Sequence, residues 1–285
     1  MTDQPERDEN LNKILASPSY RVAYRDVDFL LDPKMRAARI ELELLKPELY
    51  FDRYNIVSTV VVFGSTRIAE PEAAAREVER ARAKLAKAPN DPHLKRSLER
   101  AERLAEKSHY YELARRFASL VSSSCQRDVH RTYVIVTGGG PGIMEAANRG
   151  AHEVGAKSIG LNIRLPREQR PNPYITPDLC FQFHYFAMRK FHFLIRAKAL
   201  VVFPGGFGTL DELFETLTLR QSRRMQNVPV IIFGREYWEK IVDFQRLADE
   251  GAIDDQDLEL FRYAETPEEA WEVIRSFHEE RETAR

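Results

Sequence analysis

The stretch that constrains this chain most is the apolar run Ala199-Leu200-Val201-Val202-Phe203. It breaks into Pro204-Gly205-Gly206-Phe207-Gly208-Thr209-Leu210-Asp211-Glu212 and continues as a helix-like segment to Leu219. A strand feeding a glycine-rich turn and a helix start is an anion-binding arrangement. The glycines let the backbone approach a ligand, and the first helical turn offers unpaired N–H groups at a positive dipole end. A second such turn, Thr137-Gly138-Gly139-Gly140-Pro141-Gly142, follows Tyr133-Val134-Ile135-Val136 and precedes Ile143-Met144-Glu145-Ala146-Ala147. Two anion-ready turns in one pattern point to a phosphorylated ligand.

The surrounding chain alternates strand and helix. Strands are predicted at 56–63, 133–136, 158–161, 180–184, 200–203 and 228–233, with helices at 142–154, 186–197, 210–221 and 237–250. Thr266-Pro267-Glu268-Glu269 has the form of a capping box that opens a last helix. This alternation predicts an α/β fold, a doubly wound, Rossmann-like parallel sheet flanked by helices, with ligands bound at the carboxyl ends of the strands. Both glycine turns fall at such ends.

Two appendages are expected. Residues 1–52 read as an N-terminal helical extension in which Lys34 to Leu45 is an amphipathic helix ended by Pro47. Residues 53–285 read as one nucleotide-binding catalytic domain. Within it 72–121 contains a charged helical hairpin, with arms Glu72–Ala88 and His93–Val121 broken at Pro89-Asn90-Asp91-Pro92. The later part of that hairpin, Tyr111 to Phe117, is expected to dock on the sheet, and its charge run is read as a solvated face.

Composition narrows the function classes. The 285 residues carry 43 Lys and Arg against 44 Asp and Glu, a balance that argues against a nucleic-acid or membrane-surface binder. The two cysteines, Cys125 and Cys180, indicate no disulfide framework. Met1 to Glu6 is polar and acidic, unlike a secretory signal, and no apolar run approaches the ~20 residues that span a bilayer. A soluble cytoplasmic protein is the expectation.

Several motifs fail informatively. The first glycine turn would need a third glycine at 143 to complete G-x-G-x-x-G, and that residue is Ile143, so a dinucleotide is not indicated. The second turn has no lysine after its glycines, which removes a P-loop. Metal-ligand spacing, C-x-x-C and G-x-S-x-G are absent. What remains is a small phosphate held by backbone amides, with ordinary side chains doing the chemistry and no metal or cofactor expected.

Two side chains stand out. Glu212 lies beside the second turn, although Thr209-Leu210-Asp211-Glu212 also fits a capping box, which would give Glu212 a purely structural role. Arg189 sits in Met188-Arg189-Lys190 within an aromatic helix, where a snorkelling or salt-bridged surface role is the alternative. For Gly138 to Gly142 the alternative is tight packing of helix on strand.

Met188-Arg189-Lys190 followed by Pro-Gly-Gly-Phe-Gly-Thr-Leu-Asp-Glu at 204–212, with Gly138-Gly139-Gly140-Pro141-Gly142-Ile143-Met144 and Phe63-Gly64-Ser65, resembles the LOG ("Lonely Guy") family from about Ile56 to Phe244. These are cytokinin riboside 5′-monophosphate phosphoribohydrolases, often labelled lysine decarboxylases. The leader and the charged hairpin resemble elaborations of the longer bacterial relatives, some of which act as AMP nucleosidases. The resemblance implies a hydrolase cleaving the N-glycosidic bond of nucleoside 5′-monophosphates. Its catalytic pair would be Arg189 and Glu212. Gly205, Gly206, Gly208 and Thr209 would hold the phosphate, and Gly64, Ser65, Gly138, Gly139, Gly140 and Lys190 would complete the binding site. It further implies a homodimer or higher homo-oligomer. A non-catalytic nucleotide or molybdenum-cofactor carrier of the same fold is the competing reading. Decarboxylation of lysine is disfavoured, since neither Lys190 nor Lys198 sits in a pyridoxal-phosphate motif.

Overall fold

The computed structural model describes residues 4–126, 129–164 and 170–283. The chain divides into two compact units, Met1–Lys46 and Pro47–Arg285. In the first, helix α1 (Gln4–Ala16) is followed by the short helix α2 (Val27–Leu31) and by the start of α3 (Arg36–Arg53). Asp26 caps α2 by accepting the Phe29 N–H at 3.2 Å, and the Arg39 guanidinium donates to the carbonyl of Asp32 at 2.7 Å.

Contrary to the sequence expectation, Pro47 does not end α3, which runs on to Arg53. A mid-helix proline costs about 3 kcal/mol, and the turn after it is anchored firmly in the second unit. Phe51 is buried edge-on against Phe181 at 5.7 Å, and Arg196 binds both Glu48 and, at 2.9 Å, Asp52.

The second unit is built on seven parallel strands: β1 (Thr59–Phe63), β2 (Val134–Thr137), β3 (Ser158–Ile163), β4 (Cys180–Phe183), β5 (Ala197–Val202), β6 (Val230–Phe233) and β7 (Arg262–Ala264). Their spatial order is β4-β3-β2-β1-β5-β6-β7. Successive side chains point to opposite faces, so Val60 and Val62 enter one core while Val61 and Phe63 enter the other. With both faces covered, the strands read as unbroken apolar runs, which is why the alternation was visible in the sequence. This is the Rossmann-like doubly wound sheet expected. Among the described residues no helix is long and apolar enough to cross a membrane.

Between β1 and β2 lie α4 (Pro71–Lys87), α5 (Pro92–Glu106) and α6 (His109–Cys125). The predicted second arm is therefore two helices. Ser108 breaks it by bonding its hydroxyl back to the Ala105 carbonyl at 2.7 Å, which frees α6 to leave the α4–α5 pair. Tyr111, Ala114, Phe117 and Val121 of α6 then enter the core beside Val60 and Ile135.

The remaining helices are α7 (Ile143–Glu153), α8 (Phe186–Leu194), α9 (Phe207–Gln221), α10 (Arg235–Glu239), α11 (Phe244–Asp249) and α12 (Pro267–Thr283). The single helix expected at 237–250 is thus α10 and α11, with Asp243 capping the second by accepting the Arg246 N–H at 2.9 Å. Strand β7 was not foreseen, because three residues are too few to show a period. At α12 the Thr266 hydroxyl does cap the helix, accepting the Glu269 N–H at 3.2 Å. The Glu269 carboxylate turns to the Glu265 N–H instead of closing the box on Thr266.

The strand order reverses direction between β1 and β5, where chain connections leave toward opposite edges and open a crevice above the carboxyl ends. One glycine is decisive for its walls. Gly142 has φ +73° and ψ −132°, and a β-carbon there would sit 2.3 Å from the Ser65 carbonyl oxygen. Gly142→Ala should therefore lower stability by about 3 kcal/mol, from backbone strain and displacement of the Ser65 turn. Urea unfolding of the two proteins measures this.

Candidate active site

Three turns frame the crevice. The first, after β1, is Gly64-Ser65-Thr66-Arg67. It is tied to its neighbours on both sides: the Ser65 N–H donates to the Pro204 carbonyl at 2.9 Å, and the Ser65 carbonyl accepts the Ile143 N–H at 3.1 Å. One residue thus links the turn after β5 to the turn after β2.

The turn after β2 is braced from behind by a buried polar chain. The Thr137 hydroxyl accepts the Gly139 N–H at 3.0 Å and donates to the Asn148 amide oxygen at 2.7 Å. Asn172 donates to that same oxygen at 2.9 Å and to the Gly140 carbonyl at 3.1 Å, while Asn148 donates to the Ser158 hydroxyl at 3.0 Å. Sequence reading passed over both asparagines. The signal was present in Asn148, a polar residue on the buried face of α7.

The turn after β5 starts α9 at Phe207, with Gly206 as its N-cap and no side-chain cap. Thr209 and Glu212 therefore lie inside the helix, and the capping-box reading fails because the helix begins two residues before Thr209. The N–H groups of Thr209 and Leu210 both go to the Gly206 carbonyl at 3.0 Å, which leaves the amides of Phe207 and Gly208 as the donors of the first turn. Behind the turn, the Tyr237 hydroxyl donates to the Gly205 carbonyl at 2.8 Å.

These turns open on a cleft of about 560 Å³. Gly64, Ser65, Gly138, Arg189, Gly206, Gly208, Thr209 and Glu212 all line it, as does Asn162 at the end of β3, which was not anticipated. Gly139, Gly140, Gly205 and Lys190 do not line it; they form or brace its walls. Met144 and Phe186 add apolar surface, and Phe207, 94% exposed, stands at the mouth. Among the described residues no three His, Cys, Asp or Glu side chains gather as a metal site.

Arg189 is held one turn into α8. Its Nε donates to the Leu161 carbonyl at 2.8 Å, and its guanidinium lies 5.2 Å from the centre of the Phe193 ring. A β-carbon on residue 138 would fall 2.5 Å from its Nη2, so the missing side chain of Gly138 is the space the arginine occupies. Burial lowers its pKa, against the opposing pull of Glu212 and Asp211. Lys190 points elsewhere, to Asp211 at 3.0 Å and Glu215 at 3.1 Å.

Residues 144–274 match the family model described as "Possible lysine decarboxylase". Over 123 residues the chain is 31% identical to the probable cytokinin riboside 5′-monophosphate phosphoribohydrolase LOGL5 of Oryza sativa subsp. japonica, an alignment covering 42% of this chain and 48% of that one. Over 146 residues it is 28% identical to the cytokinin riboside 5′-monophosphate phosphoribohydrolase LOG3 of Arabidopsis thaliana, covering 50% and 66%. In these regions the chain is similar to LOG proteins. It spans about half to two thirds of the length of these curated relatives. Among solved structures, TM1055 superposes with a TM-score of 0.47 at 22% identity, covering 77% of this chain and 99% of that one. The molybdenum cofactor carrier protein of Chlamydomonas reinhardtii superposes with a TM-score of 0.43 at 15% identity, covering 77% and 96%.

The region matched to the LOG-related model takes in Arg189, Glu212 and the whole turn after β5, but begins after the Gly138–Gly142 turn. At its centre is the Glu212 carboxyl, only 6% exposed. Burial pushes its pKa up to about 8; Lys190 pulls it down, Glu215 raises it, Arg189 lowers it and Asp211 raises it. At neutral pH the resting group is therefore the neutral acid.

That has a sign. Below the ordinary value of 4.5 the folded and unfolded chains both carry the proton, and no penalty arises. Between 4.5 and about 8 the folded state holds a proton that the unfolded chain has released, so stability falls as pH rises, then levels off. Glu212→Gln has no such loss. Its stability should exceed that of the parent increasingly between about pH 5 and pH 8, by on the order of 2–4 kcal/mol at the upper end, and its melting temperature should rise with it. Paired thermal scans across that range check it.

Proposed function

We propose that the protein hydrolyses the N-glycosidic bond of nucleoside 5′-monophosphates, with AMP or an N6-substituted AMP as substrate, to the free base and ribose 5-phosphate. The observation that carries this reading is the Glu212 carboxyl, buried and neutral at rest, sharing a cleft with a fixed Arg189 among three turns at strand ends, two of them glycine-rich. The LOG relatives bear the name of this chemistry.

In this reading the phosphate sits on the amides of Phe207 and Gly208, at the positive end of α9. As the bond between C1′ and the base nitrogen breaks, its electron pair leaves with the base, and Glu212 gives its proton to that base. The carboxylate so formed faces an oxocarbenium-like sugar and stabilises its positive charge. It then takes a proton from the attacking water, whose oxygen bonds to C1′, and the acid is restored. Arg189, a permanent cation nearby, lowers the cost of the transient carboxylate and orients the ribose or phosphate oxygens.

Chromatography of incubations with AMP, CMP, GMP, UMP and isopentenyl-AMP tests the activity; survival of all five at high protein concentration would end the reading. Glu212→Ala should lose about a hundred- to a thousand-fold in turnover while AMP binding, by calorimetry, stays within a few-fold. Because the working resting form is the acid, kcat/KM should be flat below neutrality and decline as pH passes about 8. A profile that climbs through the same range would assign Glu212 the role of a resting base instead.

A further inference from the structure

Among the described residues two guanidinium groups line the cleft, and they differ in how far they are committed. Arg189 is buried and bonded to the Leu161 carbonyl at 2.8 Å. The nearby ammonium of Lys190 is outside the lining and bound by two carboxylates. Arg67 is exposed, lines the cleft, and among the described residues has no carboxylate within 4.0 Å.

Its backbone, in contrast, is fixed. The Arg67 N–H donates to the Ser65 hydroxyl at 3.1 Å, and Ser65 is itself bonded to Pro204 and Ile143. An exposed cation thus projects from the turn that is tied directly to the start of the Pro204–Thr209 turn. The charge balance calls for one. A phosphate monoester carries close to two negative charges at neutral pH, whereas a helix N-terminus supplies about half a positive charge. Of the two acids on the lining, Asp211 is paired with Lys190, and Glu212 is buried while Arg67 is exposed.

We infer that Arg67 closes on the phosphate held at the start of α9 and makes the 5′-monophosphate, rather than the free nucleoside, the molecule this site binds. For the identity of the substrate this rests on the N-glycosidase reading above; for phosphate binding it stands apart from it.

The test is calorimetry with ribose 5-phosphate, alongside AMP kinetics, on the parent protein, Arg67→Ala and Arg67→Lys. Arg67→Ala should weaken ribose 5-phosphate by about ten- to a hundred-fold and raise the KM for AMP by a similar factor, with the change in KM rather than kcat. Arg67→Lys should recover part of the loss, because it restores charge without the two-pronged geometry. Raising salt from about 50 to 500 mM should weaken ribose 5-phosphate binding to the parent and affect Arg67→Ala much less, as expected for an exposed charge pair.

Ribose 5-phosphate binding within threefold of the parent, or a loss confined to kcat, overturns the assignment. If the parent binds ribose 5-phosphate but releases no base from any nucleotide, the hydrolase reading fails while calorimetry still decides the role of Arg67.

Discussion

Glu212 is buried without a hydrogen-bonded cation to compensate it, and much of the surrounding structure is arranged around that fact. Two basic side chains lie close enough to alter its ionisation, yet each is engaged elsewhere. Arg189 is drawn to the Leu161 carbonyl and into the space beside Gly138, and Lys190 is drawn to Asp211 and Glu215. An uncompensated carboxylate in such a place is costly, and the group answers by holding its proton. Were Lys190 free to turn inward, the pair would neutralise itself and the acid would be lost. The ion pairs on α8 and α9 therefore keep a cation away from the buried acid.

A group held at that cost is useful only if its surroundings do not relax to relieve it. The cleft is accordingly built from short turns at strand ends, each fixed by backbone or buried amide bonds. Ser65 joins two turns with one N–H and one carbonyl. Thr137, Asn148 and Asn172 hold the third side from beneath, with donors and acceptors matched at every link. Such networks are stiff because every member left unpaired would carry a desolvation penalty. The exposed side chains of Arg67 and Phe207 lie outside this bonded frame, at the mouth of the cleft.

How much of this could be read in advance depended on what each feature answers to. Runs such as Val60-Val61-Val62 are apolar because a parallel sheet is covered on both faces, so strand positions followed from the sequence itself. The turn at 204–209, the basic pair Arg189-Lys190 in an aromatic helix and Glu212 beside the turn stood out because these are local signals, and the structure places Arg189 and Glu212 on one cleft. Pro47, Ser108 and Asp243 were misjudged. At Pro47 the helix passes because partners far along the chain, Arg196 and Phe181, hold the turn that follows. At Ser108 and Asp243 a single side-chain bond three residues away sets the break, a signal that periodicity does not carry. Asn162, Asn172 and Arg67 belong with Pro47. Nothing next to them marks a site, and only the folding of the strand ends into one crevice gives them a role. The capping-box reading of Thr209 failed on three residues of helix register, a distance too small for sequence pattern to resolve.

The description attached to the matching family model names lysine decarboxylation, and the cleft offers a chemical reason to set it aside. That reaction, run through pyridoxal phosphate, needs a lysine whose amine can become neutral to form an imine with the cofactor. Among the described residues no lysine lines the cleft. The nearest candidate, Lys190, is held by two carboxylates, and although burial works to lower its pKa, the hydrogen bonds to Asp211 and Glu215 outweigh it and raise the value. An amine held charged in this way is a poor nucleophile. The same two ion pairs that deny the cleft a reactive lysine are those that leave Glu212 without a partner. The arrangement that disfavours imine chemistry is therefore the one that leaves a buried acid in the cleft, the group on which the proposed glycosidic cleavage relies.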